Sequence, residues 1–298
     1  MKTEEDKIIA IPDRLRDPFL FEWIVSRQKD CERTGVSFDM SAVRFVEPYS
    51  MVSLLLFGRN YLRNTGERIK LLNIPVQVHQ YLSRMDFFEK EVFEVPEVLN
   101  EKLFLKRTME SRRLIEITEI PGKEKQSLKV IASVISLFRK RASLILKYWM
   151  NDSVVDYFVT VISELCQNIF EHSLDSGYLA IQTYNTGREN IARLVISDSG
   201  IGIRKSFERK ENIKFNSTSE LMEMALTMPI SSKRPYGYGL CQVSDIVERL
   251  KGGIYIRTSD ASLTVLYNKK EKGGKYIFHK DGLEDFRGTQ ISITLSSK

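Results

Sequence analysis

Between residues 153 and 198 the chain reads as one amphipathic helix followed at once by two β-rich segments, and this order restricts the fold more than any other stretch. The helical pattern runs from Ser153 to Ser173, with Val154, Phe158, Ile162, Leu165 and Ile169 at three- and four-residue spacing. "GYLAIQTY" and "IARLVIS" then read as a hairpin around "NTGREN", whose Asn and Gly suit a turn. A helix with one apolar stripe and a hairpin with apolar residues to bury must cover each other. Upstream lie an apolar strand at Leu114 to Ile117 and a second helical pattern at Gln126 to Met150. Downstream, a long irregular stretch precedes a helix from about Gly239 to Leu250, then strands "GGIYIRT", "SLTVLYN", "KYIFH" and "TQISITL". The expectation is a layer of helices on one face of a mixed, largely antiparallel sheet.

The first third alternates between strand and helix. An apolar "IIAIP" leads to a helical stretch near Phe19 to Cys31, then to the β-rich "GVSFDMSAVRFV". A long helix, "YSMVSLLLFGRNYLRN", stops at Gly66; "RIKLLNIP" is a strand closed by proline, and "VQVHQYLSRMDFF" a short helix. This order predicts a small α/β domain over residues 1–100, a charged linker over 101–112, and a second domain over 113–298. Two domains also match the length of 298 residues.

Composition narrows the class. With 42% hydrophobic and 28% charged residues, no apolar run to cross a bilayer and no leader-like start, the chain reads as a soluble cytoplasmic protein without a membrane partner. Cys31, Cys166 and Cys241 are scattered and form no Cys-x-x-Cys spacing, so they read as reduced structural thiols. The net charge of +6 favours anionic partners. The basic residues are dispersed among acids, which favours solvated helix faces over a nucleic-acid groove.

Three polar stretches carry the chemistry. In "ELCQNIFEHS", Glu164, Asn168 and His172 recur every four residues and wind as one stripe beside the apolar face. By itself such a stripe is a hydrated helix edge. "VISDSGIGI" runs a β-rich strand into Asp198-Ser199-Gly200-Ile201-Gly202, where a carboxylate can accept from an amino group and glycines let a flat ligand approach the backbone. "RPYGYGLCQVSDIVERL" puts Gly237 and Gly239 at a helix start, whose free N–H groups attract phosphate. Each of the last two is a weak signal in isolation.

In this order the three stretches resemble the GHKL superfamily of ATP-binding domains found in gyrase, large heat-shock chaperones, histidine kinases and mismatch-repair ATPases, over roughly residues 112–296. Glu164-x-x-x-Asn168 resembles the N box, Asp198-x-Gly200-x-Gly202 the first glycine box, and Gly237-x-Gly239-Leu240 the second; "FRGTQISITL" resembles the closing strand with Thr289 near the adenine. The resemblance implies a GHKL (Bergerat) α/β sandwich that binds ATP and Mg²⁺. Asp198 would accept the adenine amino group, with Gly200 and Gly202 letting the base lie close to the chain. Asn168 would ligate Mg²⁺ through its amide oxygen, and Glu164 would position or deprotonate water. Gly237, Tyr238 and Gly239 would meet the phosphates. Residues 204–236 would form an ATP lid from which Lys233 or Arg234 reaches the γ-phosphate. His172, one turn past Asn168, fits a packing or hydrogen-bonding role. His79 and His279 have no dimerising helix hairpin around them, which excludes a complete histidine kinase.

The first domain, roughly residues 5–95, resembles a STAS domain, the fold of anti-sigma factor antagonists, through its strand, "D-x-S", apolar strand, helix, strand and short helix ending in an apolar pair. Where regulated members carry Asp-Ser-Ser-Gly this chain has Glu47-Pro48-Tyr49-Ser50, so the phosphoacceptor position falls on Tyr49, and on Ser50 or Ser53 only in a shifted register. A docking or intramolecular regulatory module is the expected role. The combination implies an ATP-binding regulatory protein with slow Mg-dependent ATPase activity, whose nucleotide state controls a STAS or other protein partner. Two alternatives stay open: a serine protein kinase of the anti-sigma type and a non-catalytic nucleotide-binding scaffold. Many relatives form homodimers, and nothing in the sequence fixes such an interface.

Overall fold

The computed structural model describes residues 7–15, 18–31, 35–96, 113–121, 128–147, 150–173, 175–185, 187, 189–208, 210, 212–233, 239–267 and 274–297. The chain divides into two compact units, Met1–Glu110 and Ser111–Lys298. The linker expected at 101–112 lies outside the described residues. Among the described residues no helix is long and apolar enough to cross a membrane.

In the first unit, β1 (Lys7–Ala10), β3 (Val36–Asp39), β5 (Ile69–Leu72) and β6 (Phe93–Glu94) form a sheet in that order, every pair parallel. β2 (Arg14–Leu15) and β4 (Phe45–Val46) form a separate short ladder, so "GVSFDMSAVRFV" divides between two sheets. Helices α1 (Pro18–Val25), α2 (Pro48–Thr65) and α3 (Val76–Arg84) alternate with the strands, as parallel pairing requires. α2 starts with Pro48, whose missing N–H costs nothing in a first turn, and stops where the Gly66 N–H returns to the Leu62 carbonyl. Rings fill the core: Phe38 lies 5.8 Å from Phe57, and Phe87 stacks on Phe93 at 5.4 Å. Tyr49 is 2% exposed and meets Phe21 edge-on, while Ser50 and Ser53 are fully buried. None of the three side chains is presented to a modifying enzyme in this fold.

The second unit contains a seven-stranded sheet of order β12-β11-β10-β13-β9-β8-β7. Its strands are β7 (Leu114–Ile120), β8 (Gly177–Asn185), β9 (Asn190–Asp198), β10 (Gly253–Ser259), β11 (Ala261–Tyr267), β12 (Lys275–Lys280) and β13 (Phe286–Ser297). Every pairing in it is antiparallel, which corrects the expected mixed sheet. The cause is that the chain returns to β10 after the β8–β9 hairpin, and the last strand, β13, slots between β9 and β10. Alternate residues Leu179, Ile181, Leu194, Ile196, Ile254, Ile256, Ile291 and Ile293 share one core with the helices. These are α4 (Leu128–Leu146), α5 (Asp152–Asn168), α6 (Gly202–Phe207), α7 (Thr218–Thr227) and α8 (Gly239–Arg249), with α5 packed between α4 and α8. Phe158, Val161, Ile162 and Leu165 give α5 its buried stripe, each large apolar side chain contributing about 2 kcal/mol of burial.

The stretch expected to be irregular before α8 holds two helices instead. α7 opens on Ser217, whose hydroxyl accepts from the Glu220 N–H at 3.2 Å, while the Glu220 carboxylate accepts from the Asn216 N–H at 2.6 Å. This is a variant of the capping box, written in the sequence as Ser-Thr-Ser-Glu, in which the acid returns to the residue before the cap, and it precedes Leu221, Met222, Ala225 and Leu226 at helical spacing, all buried.

At the start of α5 the Asn151 carboxamide oxygen accepts from the Val154 N–H at 3.0 Å. Asn151→Ala is expected to cost about 1 kcal/mol of stability. Urea unfolding followed by circular dichroism measures this, and an unmoved midpoint would refute the capping role.

Candidate functional site

The polar stripe of α5 faces the start of α8. Glu164 and Asn168 are both half-buried on this face. Their proximity to α8 is gauged by Gly239: a side-chain Cβ there would come within 3.1 Å of a Glu164 carboxylate oxygen and 3.6 Å of both Asn168 amide atoms. α8 therefore begins against an acid and an amide, with its first backbone N–H groups at the helix end where partial positive charge accumulates. Beyond Asn168 the helix widens into one π turn, Ile169–Ser173. Such turns shift the following side chains out of α-helical register. Here the π turn brings the Ser173 carbonyl over the turn that follows β9, where the Ile201 N–H donates to it at 3.2 Å.

Asp198 ends β9 at the closed end of the site. It is 7% exposed, and its carboxylate accepts from the Gly200 N–H at 2.8 Å. Burial pushes its carboxyl up to about 6; hydrogen bonds from Gly200, Ser173 and Thr289 oppose the rise, and the neighbouring Asp175 charge adds to it. Two glycines make the close approaches possible. A Cβ on Gly200 would lie 1.9 Å from the Ser173 carbonyl oxygen, and one on Gly288 would lie 1.9 Å from the Asp198 carbonyl oxygen. Gly288 also has φ +102, a conformation that other residues resist. Thr289 then pairs with Asp198 across the ladder. Thr258, fully buried, accepts from the Ile203 N–H at 3.1 Å and donates to the Gly288 carbonyl at 2.9 Å, tying the start of α6 to β13.

These parts enclose a cavity of about 170 Å³, far more than a single structural water needs. Glu164, Asn168, Asp198, Gly202, Gly239, Leu240 and Thr289 line it, so seven residues singled out in the sequence meet at one place. Gly200 does not line it: its missing side chain makes room for Ser173 rather than for a ligand. Lys233 is exposed and also lies outside the lining, its N–H donating to Ser231 Oγ at 3.3 Å. Gly237, Tyr238, Arg234 and the side chain of His172 fall outside the described residues. Residues not anticipated complete the wall: Ile203 and Phe207 on α6, Ala225 on α7, and Ile230 to Ser232 after it.

Residues 154–297 match the family model described as "Histidine kinase-, DNA gyrase B-, and HSP90-like ATPase". The second unit carries a GHKL-type ATPase domain. The matched segment begins two residues after the first residue of α5 and ends with β13, leaving β7 and α4 outside it. A comparison with curated proteins gives no match. The cavity lies within the matched segment, and Glu164, Asn168 and Gly239 share its lining with the apolar Ile203, Phe207 and Ile230.

Sequence reasoning missed the buried set Ser173, Asp175 and Ser199 because their hydroxyls and carboxylate meet only through the π turn. Gly288 did carry a signal, since a glycine inside a strand pattern marks a close backbone approach.

The raised Asp198 value has a consequence for stability. The folded ATPase domain holds a proton that the unfolded chain, with an ordinary value of 3.8, has released. Its contribution is therefore full below that ordinary value and is lost as pH rises through about 6, amounting to about 3 kcal/mol. Nucleotide-free Asp198→Asn is expected to gain on wild type between pH 5 and pH 7.5 in urea unfolding. Parallel pH profiles of the two proteins would contradict the assignment.

Proposed function

We propose that the protein is a regulatory ATPase that binds ATP with Mg²⁺ in this cleft and signals its nucleotide state to a protein partner through a STAS-like first unit. The observation that carries the reading is the pairing of a buried carboxylate, Asp198, at the closed end with the half-buried Glu164 and Asn168 beside Gly239 at the other. A buried carboxylate accepts a hydrogen bond from an exocyclic amino group, which selects adenine. Ile203, Phe207 and Ile230 offer the base an apolar bed. Gly239 at the start of α8, with Gly237 and Tyr238 before it in the sequence, meets the phosphates through main-chain N–H groups, and Lys233 or Arg234 reaches the γ-phosphate.

A magnesium ion bound with nucleotide needs one or two protein oxygens beside those of phosphate and water. The Asn168 amide oxygen fits that requirement. When bound, the ion supplies neutralisation of phosphate charge. Glu164 orients a water and takes its proton as the water oxygen bonds to the γ-phosphorus and the bridging β–γ oxygen leaves. Turnover is slow, as befits a switch whose output is the state of the segment around α7, whose C-terminal part lines the cavity.

The alternating β/α order of the first unit supports a STAS-like docking module. Burial of Tyr49, Ser50 and Ser53 speaks against phosphorylation of α2 by the chain's own ATPase domain, and so ranks the regulatory ATPase above a kinase acting in cis.

Titration calorimetry with Mg-ATP is expected to give binding by wild type and a loss of at least about tenfold in Asp198→Asn; a wild type that binds no ATP would sink the proposal. Glu164→Ala should retain ATP and lose phosphate release by about 100-fold or more. Equal turnover by wild type and Glu164→Ala would remove Glu164 from the chemistry.

A further inference from the structure

We propose that Asp175 is a positioning residue for base selection, fastening the Asp198-Ser199-Gly200 turn to the π turn at the end of α5. The inference rests on the reading above that Asp198 accepts the amino group of the base. Asp175 is 7% exposed and stands between the π turn and β8. Both of its carboxylate oxygens are used. One accepts from the Ser176 N–H at 2.7 Å and the other from the Ser199 hydroxyl at 2.9 Å. Its main-chain carbonyl accepts from the Ser173 hydroxyl at 3.2 Å.

Ser199 is fully buried and sits between the residue that reads the base and the glycine that caps its carboxylate. Its main chain is held on two further sides: its N–H donates to the Ser176 carbonyl at 3.4 Å, and its carbonyl accepts from Arg287 Nε at 2.9 Å. Its hydroxyl has two acceptors, the Asp175 carboxylate at 2.9 Å and the Ser176 carbonyl at 3.4 Å, and the shorter bond, to Asp175, fixes the side chain to the α5 side of the cleft. A buried carboxylate placed next to another buried carboxylate is unfavourable by charge alone, so a purely structural need would be met as well by an amide. What a carboxylate supplies is two acceptor oxygens and no donor, which makes the Ser199 hydroxyl point one way only. The orientation of Asp198 is then set from the same turn that ends the Glu164 and Asn168 helix, and the base end and the phosphate end of the cleft share one anchor.

The test is selectivity between ATP and ITP, which differ at the group that Asp198 meets: an amino group in ATP and a carbonyl oxygen in ITP. Calorimetry of the full chain at pH 8 with Mg²⁺ compares wild type, Asp175→Ala, Asp175→Asn and Ser199→Ala. Wild type is expected to prefer ATP. Asp175→Ala and Ser199→Ala should each lose that preference by about tenfold or more, through weaker ATP binding at nearly unchanged ITP binding. Asp175→Asn should lose it likewise, because an amide that accepts from the Ser176 N–H turns its NH2 group to Ser199 and reverses that hydroxyl. General damage to the cleft would weaken both nucleotides alike and would overturn the assignment. Should Asp175→Ala fail to fold in a thermal melt, Ser199→Ala breaks the same bond while removing a single hydroxyl. A wild type that prefers ATP, with a preference unchanged in Ser199→Ala, defeats the role of Asp175 alone. A wild type that binds ATP and ITP equally defeats the reading of Asp198 and this inference with it.

Discussion

The contact between Gly200 and the Ser173 carbonyl organises the ATPase domain. A helix and a strand-to-turn segment approach so closely there that a single methyl group on Gly200 would overlap the carbonyl oxygen. Two features make that approach possible: the π turn that ends α5, and the absence of a side chain at residue 200. Everything chemical in the cleft is laid out on either side of the contact, with Glu164 and Asn168 leading into it and Asp198 leading away. The first glycine of the box is thus spent on the protein's own backbone, and Gly202 is the one that opens onto the cavity. The same logic recurs at Gly288, where β13 comes against the end of β9. The position of the Asp198 carboxylate is thus a property of backbone packing first and of its own hydrogen bonds second.

Much of this architecture was legible in the chain. The stripe of Glu164 and Asn168, the strand that ends in Asp198 and the glycine before α8 are local patterns, and local patterns are what periodicity and turn chemistry report. The family model confirms the domain they were read as. Three things were harder to see. The antiparallel order arises from where β13 inserts, which is decided by contacts between residues nearly 100 positions apart. α7 was passed over although its capping box was in plain view, because "NSTSE" also reads as a polar loop. The Asp175 to Ser199 bond spans a turn, two strands and a widened helix end, and no spacing rule reaches that far.

The first unit separates two properties that its sequence had joined. Pro48 and the residues after it begin a helix at the place where the resemblance to STAS domains would put a phosphorylated serine, yet Tyr49, Ser50 and Ser53 are all shut inside. Apolar demand explains the burial, for α2 is enclosed from Pro48 through Gly58 and a helix apolar on all sides has no face to offer solvent. The unit keeps the alternating β/α architecture and gives up an exposed hydroxyl at that helix start.

The bonds around α7 also have a mechanical meaning. Its first turn is tied to the β10–β11 connection by Thr218 to Asp260 at 2.9 Å, to the end of the edge strand β12 by the Ser219 N–H to Asp281 at 3.0 Å, and to α6 by Arg204 to Thr218 at 2.9 Å. Its other end runs into Ile230, Ser231 and Ser232 on the cavity wall. Between the two ends the helix is held along its length, because Leu221, Met222, Ala225 and Leu226 are buried. α7 is thus a strut of ten residues that ties the wall of the cavity, at Ala225, to the strand ends beyond it.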